Sequence, residues 1–235
     1  MKTAALKHSI KTNVIFSAIY QLFKFVVPFI TAPYISRVLG VELVGFYSYT
    51  TSITFYFAAL ASLGFDTYGN WQVSKVRDDP KRVSDVFWEV ELAQVIVSFA
   101  SISIYLPLVL TNTLGSGTYR NLCLIMGITI IAEMLDTSFL MAGEEEYVSL
   151  AIRGMLVKIT STVLIFALIK SRDINALLLY AGILAGSQLL SSILVLMPST
   201  KYIKKINSKN LKMSHSLRGS GVSLFIFWFP LLTYS

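Results

Sequence analysis

Six apolar stretches, each close to the length that crosses a bilayer, leave this chain few ways to fold. They run 13–38, 43–65, 86–110, 120–142, 148–169 and 174–198. An α-helix rises about 1.5 Å per residue, so about 20 apolar residues cross a hydrocarbon core of roughly 30 Å. An outer-membrane barrel would show short segments of alternating hydropathy instead. Only 14% of the residues are charged while 54% are hydrophobic, where soluble domains carry about 25% charged residues. The sequence therefore predicts an all-α polytopic membrane protein. A further apolar run begins near Val222, with Leu224, Phe225, Ile226, Phe227, Trp228 and Phe229, and the chain stops at Ser235 before that run could cross. The expected division is a six-helix transmembrane bundle over 1–198, a basic cytoplasmic linker over 199–218 and the truncated start of a seventh helix over 219–235.

The net charge of +7 does not point to nucleic acid, because the cations gather in the connections between apolar stretches, as topology signals do. Lys2, Lys7 and Lys11 precede the first stretch. Lys75, Arg77, Lys81 and Arg82 fall between the second and third. Lys201, Lys204, Lys205, Lys209, Lys212 and Arg218 follow the sixth. The opposite connections hold only Arg37, Arg120, Lys170 and Arg172. This bias predicts a cytoplasmic N-terminus. Glu144, Glu145 and Glu146 then fall on the cytoplasmic side, which acidic residues scarcely oppose. The first apolar run is too long for a signal-peptide core and reads as a retained span. Cys123, the single cysteine, excludes an internal disulfide.

Within the spans, polar residues fall on faces. Asn13, Ser17, Gln21, Lys24, Pro28 and Thr31 recur at steps of three or four and share one side of the first helix. Lys24 stands midway between Lys11 and Arg37, where insertion scales put the cost of a lysine at about 2.5–3.5 kcal/mol. Glu91, Gln94, Ser98 and Ser101 mark the third span, and Thr129, Glu133, Asp136 and Thr137 the fourth. Gly154, Lys158, Ser161 and Thr162 mark the fifth, and Gly182, Gly186, Ser187, Gln188 and Ser191 the sixth. Hydroxyl and glycine stripes usually join helices. Ionised residues avoid lipid and mark cavities or pathways. Lys24, Gln21, Thr31 and Lys158 are thus candidates to line a substrate cavity. Glu133 and Asp136 are candidates for ion coupling or for neutralising Lys24 or Lys158. Pro28 and Pro33 predict a kink in the first span.

Several chemistries are missing from the sequence. It contains no phosphate-binding G-x-x-x-x-G-K-[ST], no H-E-x-x-H and no G-x-S-x-G. The expectation is a protein that is not an enzyme, that uses no metal or organic cofactor, and that draws on an ion gradient such as H+ or Na+, on its substrate's gradient, or on a partner.

The run Pro33-Tyr34-Ile35-Ser36-Arg37-Val38-Leu39-Gly40, with Gly45-Phe46-Tyr47-Ser48 after it, resembles the end of the first span of polysaccharide flippases. These are the O-antigen and capsule repeat-unit exporters of the multidrug/oligosaccharidyl-lipid/polysaccharide (MOP) superfamily. Leu63-Gly64-Phe65-Asp66-Thr67-Tyr68-Gly69-Asn70 is similar to the end of their second span, and Arg77-Asp78-Asp79-Pro80-Lys81-Arg82 to the connection after it. The resemblance implies a MOP/MATE-like fold of two six-helix bundles, of which this chain would hold the first. It implies flipping of an undecaprenyl-pyrophosphate-linked oligosaccharide across the bacterial cytoplasmic membrane by alternating access. Cationic cavity residues, here Lys24 and more weakly Lys158, would attract the pyrophosphate. Arg37, Gly40, Gly45, Gly64 and Gly69 would shape the backbone. Membrane lipids, a polysaccharide polymerase and glycosyltransferases would be partners, and nucleic acid would not. Two other readings stay open: a cation-coupled multidrug exporter of the same superfamily, and a non-transporting scaffold of the polysaccharide assembly complex.

Overall fold

Hydropathy this high leaves the backbone no water to bond, so helices must satisfy their own N–H and C=O groups. A computed structural model describes residues 10–200 and Tyr202, and among these every regular element is helical. In order they are α1 (Ile10–Ser62), α2 (Phe65–Val76), α3 (Pro80–Leu110), α4 (Thr118–Met126), α5 (Ile128–Met134), α6 (Ser138–Gly143), α7 (Tyr147–Leu168) and α8 (Ile174–Ser199). The linker and the seventh-span start, apart from the linker's first two residues and Tyr202, lie outside the described residues.

α1 holds the first two predicted spans. Its 53 residues would rise about 80 Å as one rod, far more than a bilayer. Gly40 breaks it, at φ 81° and ψ 166°. The two ends of the bundle show that the chain reverses there. Gly40 lies against Arg172, beyond the C-terminus of α7. Arg77, just past α2, pairs with Glu145, ahead of the N-terminus of α7. Helical dihedrals run through Pro28 and Pro33, so the break between the first two predicted spans falls at the glycine.

The remaining differences concern where helices start and stop. The second span ends at Leu63 and Gly64, both at positive φ, and the chain re-enters a helix as α2. α3 starts six residues before the predicted third span. Asp79 caps it, accepting from the N–H of Lys81 at 3.0 Å and of Arg82 at 3.4 Å, and Pro80 follows where no N–H is needed. The predicted fourth span is not one helix. It is α4, α5 and α6, interrupted at Gly127 and again over 135–137.

Packing explains the order. At the end that carries Gly40, Ile35, Leu39, Leu122, Ile169 and Leu177 form one buried cluster. At the other end Phe65, Val73, Val83, Phe87 and Phe139 form a second. Between them α1 and α3 run antiparallel, held by hydroxyls. Ser101 donates to the Phe57 carbonyl at 2.7 Å and Ser98 to that of Ala61 at 3.4 Å, while Thr54 and Tyr105 meet at 3.1 Å. Ser98 and Ser101 of the third-span polar stripe therefore bond helix to helix, whereas Glu91 holds a buried carboxylate oxygen with no hydrogen-bond partner. The Gly182/Gly186 stripe joins no helices, since a side chain added at either would meet nothing within 4 Å. Ala181 and Ala185, next to these glycines on α8, are buried instead.

Candidate functional site

The first segment of α1 and α7 run parallel and nearly in register. Tyr20 packs directly on Gly154, and Tyr34 donates to the Ile169 carbonyl at 2.7 Å while its ring meets Phe166 at 4.5 Å. Lys24 is one turn beyond Tyr20 and Lys158 one turn beyond Gly154, so the two lysines stand at the same level of the bundle. They are near enough to feel each other's charge. Lys24 sits over the Tyr20 ring, 4.5 Å from its centroid, a cation–π contact.

Lys24 opens into a cavity of about 370 Å³, lined also by Ser17, Tyr20, Gln21, Asp66, Asn70 and Asp136. Asp136 occupies the break between α5 and α6, where its carboxylate accepts the N–H of Ser138 at 2.8 Å. A larger cavity of about 830 Å³ lies beside it, lined by Thr51, Phe55, Tyr56, Thr129, Glu133 and Gln188 among others. Gln188 donates to the Glu133 carboxylate at 2.9 Å, and Gln94 donates to the Glu133 carbonyl at 2.5 Å. Asp66 and Thr67 line both cavities.

The structure thus places Lys24, Gln21 and Asp136 in one cavity and Glu133 in the other. Thr31 is in neither: it is buried, and its hydroxyl donates back to the Val27 carbonyl at 3.1 Å. Lys158 is half-buried on α7 and lines neither cavity. Asp66 was hidden in the sequence inside a turn motif. Its signal was a carboxylate directly after the apolar run, one residue past the two positive-φ positions and Phe65. It lines the same cavity as Asp136 and Lys24, so Lys24 shares that cavity with two carboxyl groups from separate stretches of chain. Among the described residues no group of three or more His, Cys, Asp or Glu is placed to hold a metal ion.

The glycines of the motif do different things. Gly40 holds a backbone angle that side chains resist, and a Cβ there would stand 2.7 Å from the Arg172 guanidinium. Gly64 caps α2 in the left-handed region. Gly69 makes room for Phe139, and Gly45 faces open space. Arg37 is exposed, one turn before Gly40.

Long apolar helices around a cavity lined by Lys24, Asp66 and Asp136 define a multi-pass membrane protein. The chain belongs to the polysaccharide biosynthesis protein family, whose model matches residues 10–229. Over 170 residues, 71% of this chain, it is 23% identical to an Escherichia coli (strain K12) protein described as "Putative O-antigen transporter". The chain spans 40% of the length of that relative. No solved structure matches it.

Proposed function

We propose that this chain is the first bundle of a flippase. It carries an undecaprenyl-pyrophosphate-linked oligosaccharide repeat unit across the bacterial cytoplasmic membrane, for O-antigen or capsule assembly, by alternating access against a second bundle. The observation that carries the reading is Lys24. It is a cation inside a polar cavity within an apolar span, and among the described residues it makes no contact ion pair. Such a group can exchange a through-space carboxylate for a phosphate oxygen. The cavity lies toward the end of the bundle marked by Lys75, Arg77, Lys81 and Arg82. Cation bias assigns that end to the cytoplasm, where the substrate is made. Asp136 and Asp66 neutralise Lys24 between cycles, and Asp136 and Glu133 are the carboxylates available for coupling to H+ or Na+.

The test is Lys24→Ala in the full-length protein, expressed in cells lacking their own flippase. A charge-assisted hydrogen bond contributes about 1.5–3 kcal/mol, so surface polysaccharide should fall by roughly 10- to 150-fold. Membrane levels should be unchanged and Lys24→Arg should retain export. Normal surface polysaccharide in Lys24→Ala cells would remove the residue from the mechanism. Multidrug export, the other transport reading, would show as drug resistance in cells where polysaccharide is not restored.

A further inference from the structure

Three connections meet at the Arg77 end of the bundle, and they close on the turn between α6 and α7. Glu144, Glu145 and Glu146 make up that turn. From the α2–α3 connection, Arg77 pairs with Glu145. From the start of the linker, the Tyr202 hydroxyl donates to the Glu146 carboxylate. The turn itself is held in place. Glu145 sits at φ 61°, and Gly143 lies against Val73 with no space for a side chain. The Glu146 N–H donates to the Met141 carbonyl at 2.9 Å. Three carboxyl groups are thus presented from a backbone that is already ordered.

The linker reaches this turn by a defined route. Ser199, the last residue of α8, meets Thr137 hydroxyl to hydroxyl at 3.0 Å, and both residues are buried. The Tyr202 N–H donates to the Ser199 carbonyl at 3.0 Å, and Tyr202 packs against the cluster that holds Phe65 and Phe139. The sequence around and beyond Tyr202 is basic. Lys201, Lys204, Lys205, Lys209, Lys212 and Arg218 fall within 201–218, and no acidic residue does. Lys204 and Lys205 follow Tyr202 by two and three residues, which an extended chain covers in about 7–11 Å. Because Ser199 and Tyr202 already hold the root of the linker, pairing of these lysines with the turn is intramolecular. Their effective concentration there is high, and little further backbone entropy is lost. Headgroups of anionic lipids compete for the same cations, but they do not hold Tyr202.

We propose that the Glu144–Glu146 turn is the docking site of the basic linker, receiving the ammonium groups of Lys201, Lys204 and Lys205. The docked linker ties the chain that follows it to the Arg77 end of the first bundle. Each such pair is weak at an exposed site, so the docking rests on several together and is sensitive to salt. It does not depend on what the protein carries.

The experiment is carbodiimide coupling of the unaltered full-length protein in phosphatidylcholine vesicles. The reagent joins a lysine amine to a carboxylate where the two are in contact, and peptide mass spectrometry identifies the pair. Links from Lys201, Lys204 or Lys205 to Glu144, Glu145 or Glu146 are expected, with a yield that falls about 5-fold or more in 1 M salt. In detergent, the triple variant Glu144→Gln/Glu145→Gln/Glu146→Gln should speed trypsin cleavage after Lys204 and Lys205 by a similar factor. Absence of these links, or a cleavage rate untouched by the three glutamines, would overturn the docking site. Links that vanish when phosphatidylglycerol is added to the vesicles would assign the lysines to anionic headgroups instead. Links that join an isotopically heavy copy to a light one would make the contact one between two molecules and overturn docking within the chain. None of these results bears on export by Lys24→Ala cells, so the docking site and the flippase reading fail separately.

Discussion

Two glycines from the same motif region should respond in opposite directions to one added methyl group. Both lie within helices, Gly45 in α1 and Gly69 in α2. Replacing glycine by alanine in a helix gains about 0.8–1 kcal/mol of propensity at either position. At Gly45 a Cβ would meet nothing within 4 Å, so that gain stands alone. At Gly69 the Cβ would fall 2.6 Å from Cδ2 and 2.8 Å from Cγ of Phe139. Phe139 cannot turn away easily: it is 1% exposed and stacks on Phe87 at a centroid distance of 6.0 Å. Overpacking of this kind costs about 1–3 kcal/mol. Because the propensity gain is common to both variants, the difference in their stability reports the overpacking alone, about 1–3 kcal/mol. Denaturant unfolding in detergent micelles measures it, with Phe139→Ala as the second arm of a double-mutant cycle. In the Phe139→Ala background, Gly69→Ala should lose its penalty. Equal stability of Gly45→Ala and Gly69→Ala, or a penalty at Gly69 undiminished by Phe139→Ala, would refute the packing argument.

Two further outcomes follow from the surroundings of single residues. Arg77 and Glu145 pair across two connections at side chains 30% and 47% exposed. Glu145→Gln should therefore lower stability by less than ~1 kcal/mol, and 1 M salt should erase the difference in unfolding. The hydrogen bond to Glu145 raises the Arg77 pKa above its ordinary value. That contribution is complete below the ordinary arginine pKa and is lost only as pH rises beyond it, so no pH dependence from Arg77 should appear at working pH. Cys123 is 1% exposed between α1 and α3. Its thiol should resist a membrane-permeant maleimide until the protein is denatured, and rapid labelling in the native state would contradict the packing of α4.

How far the sequence carried the fold depends on what hydropathy can see. Among the described residues it located every span, because burial in lipid and a run of apolar residues are the same fact. It misplaced helix ends, because a helix can continue into water. α3 begins at Pro80 with a polar first turn, and the signal there was the Asp79–Pro80 cap rather than any apolar residue. α2 is likewise a helix of low hydropathy that no membrane scale would find. The site was legible only in part. Lys24, Gln21 and Asp136 announce themselves as polar residues in apolar surroundings, and they meet in one cavity. Thr31 carries the same signal, yet a hydroxyl can bond its own helix and need nothing else. Asp66 gains its importance from neighbours distant in sequence, and no spacing rule reaches it; Gln188 stood in the polar set of the sixth span, but only the fold sets it on Glu133.

The separation of Glu133 from Asp136 shows how a local break creates two sites. Three residues apart on a continuous helix, they would share one face and compete for one partner. That is the arrangement the fourth span implies in sequence. The chain instead leaves the helix after Met134, and it re-enters at Ser138 with the Asp136 carboxylate bonded to that residue's N–H. Part of what the break gives up is replaced locally: the Asp136 N–H donates to the Glu133 carbonyl at 3.2 Å and the Ser138 N–H to the Asp136 carboxylate. Glu133 stays with α5 and turns toward Gln188 on α8, while Asp136 turns into the cavity that Lys24 lines. Two carboxyl groups are thereby kept in different cavities. Asp66, on the shared wall, is the single acidic side chain that lines both cavities among the described residues. A ligand that recruits Lys24 must therefore compete with Asp66 and Asp136, and only indirectly with Glu133.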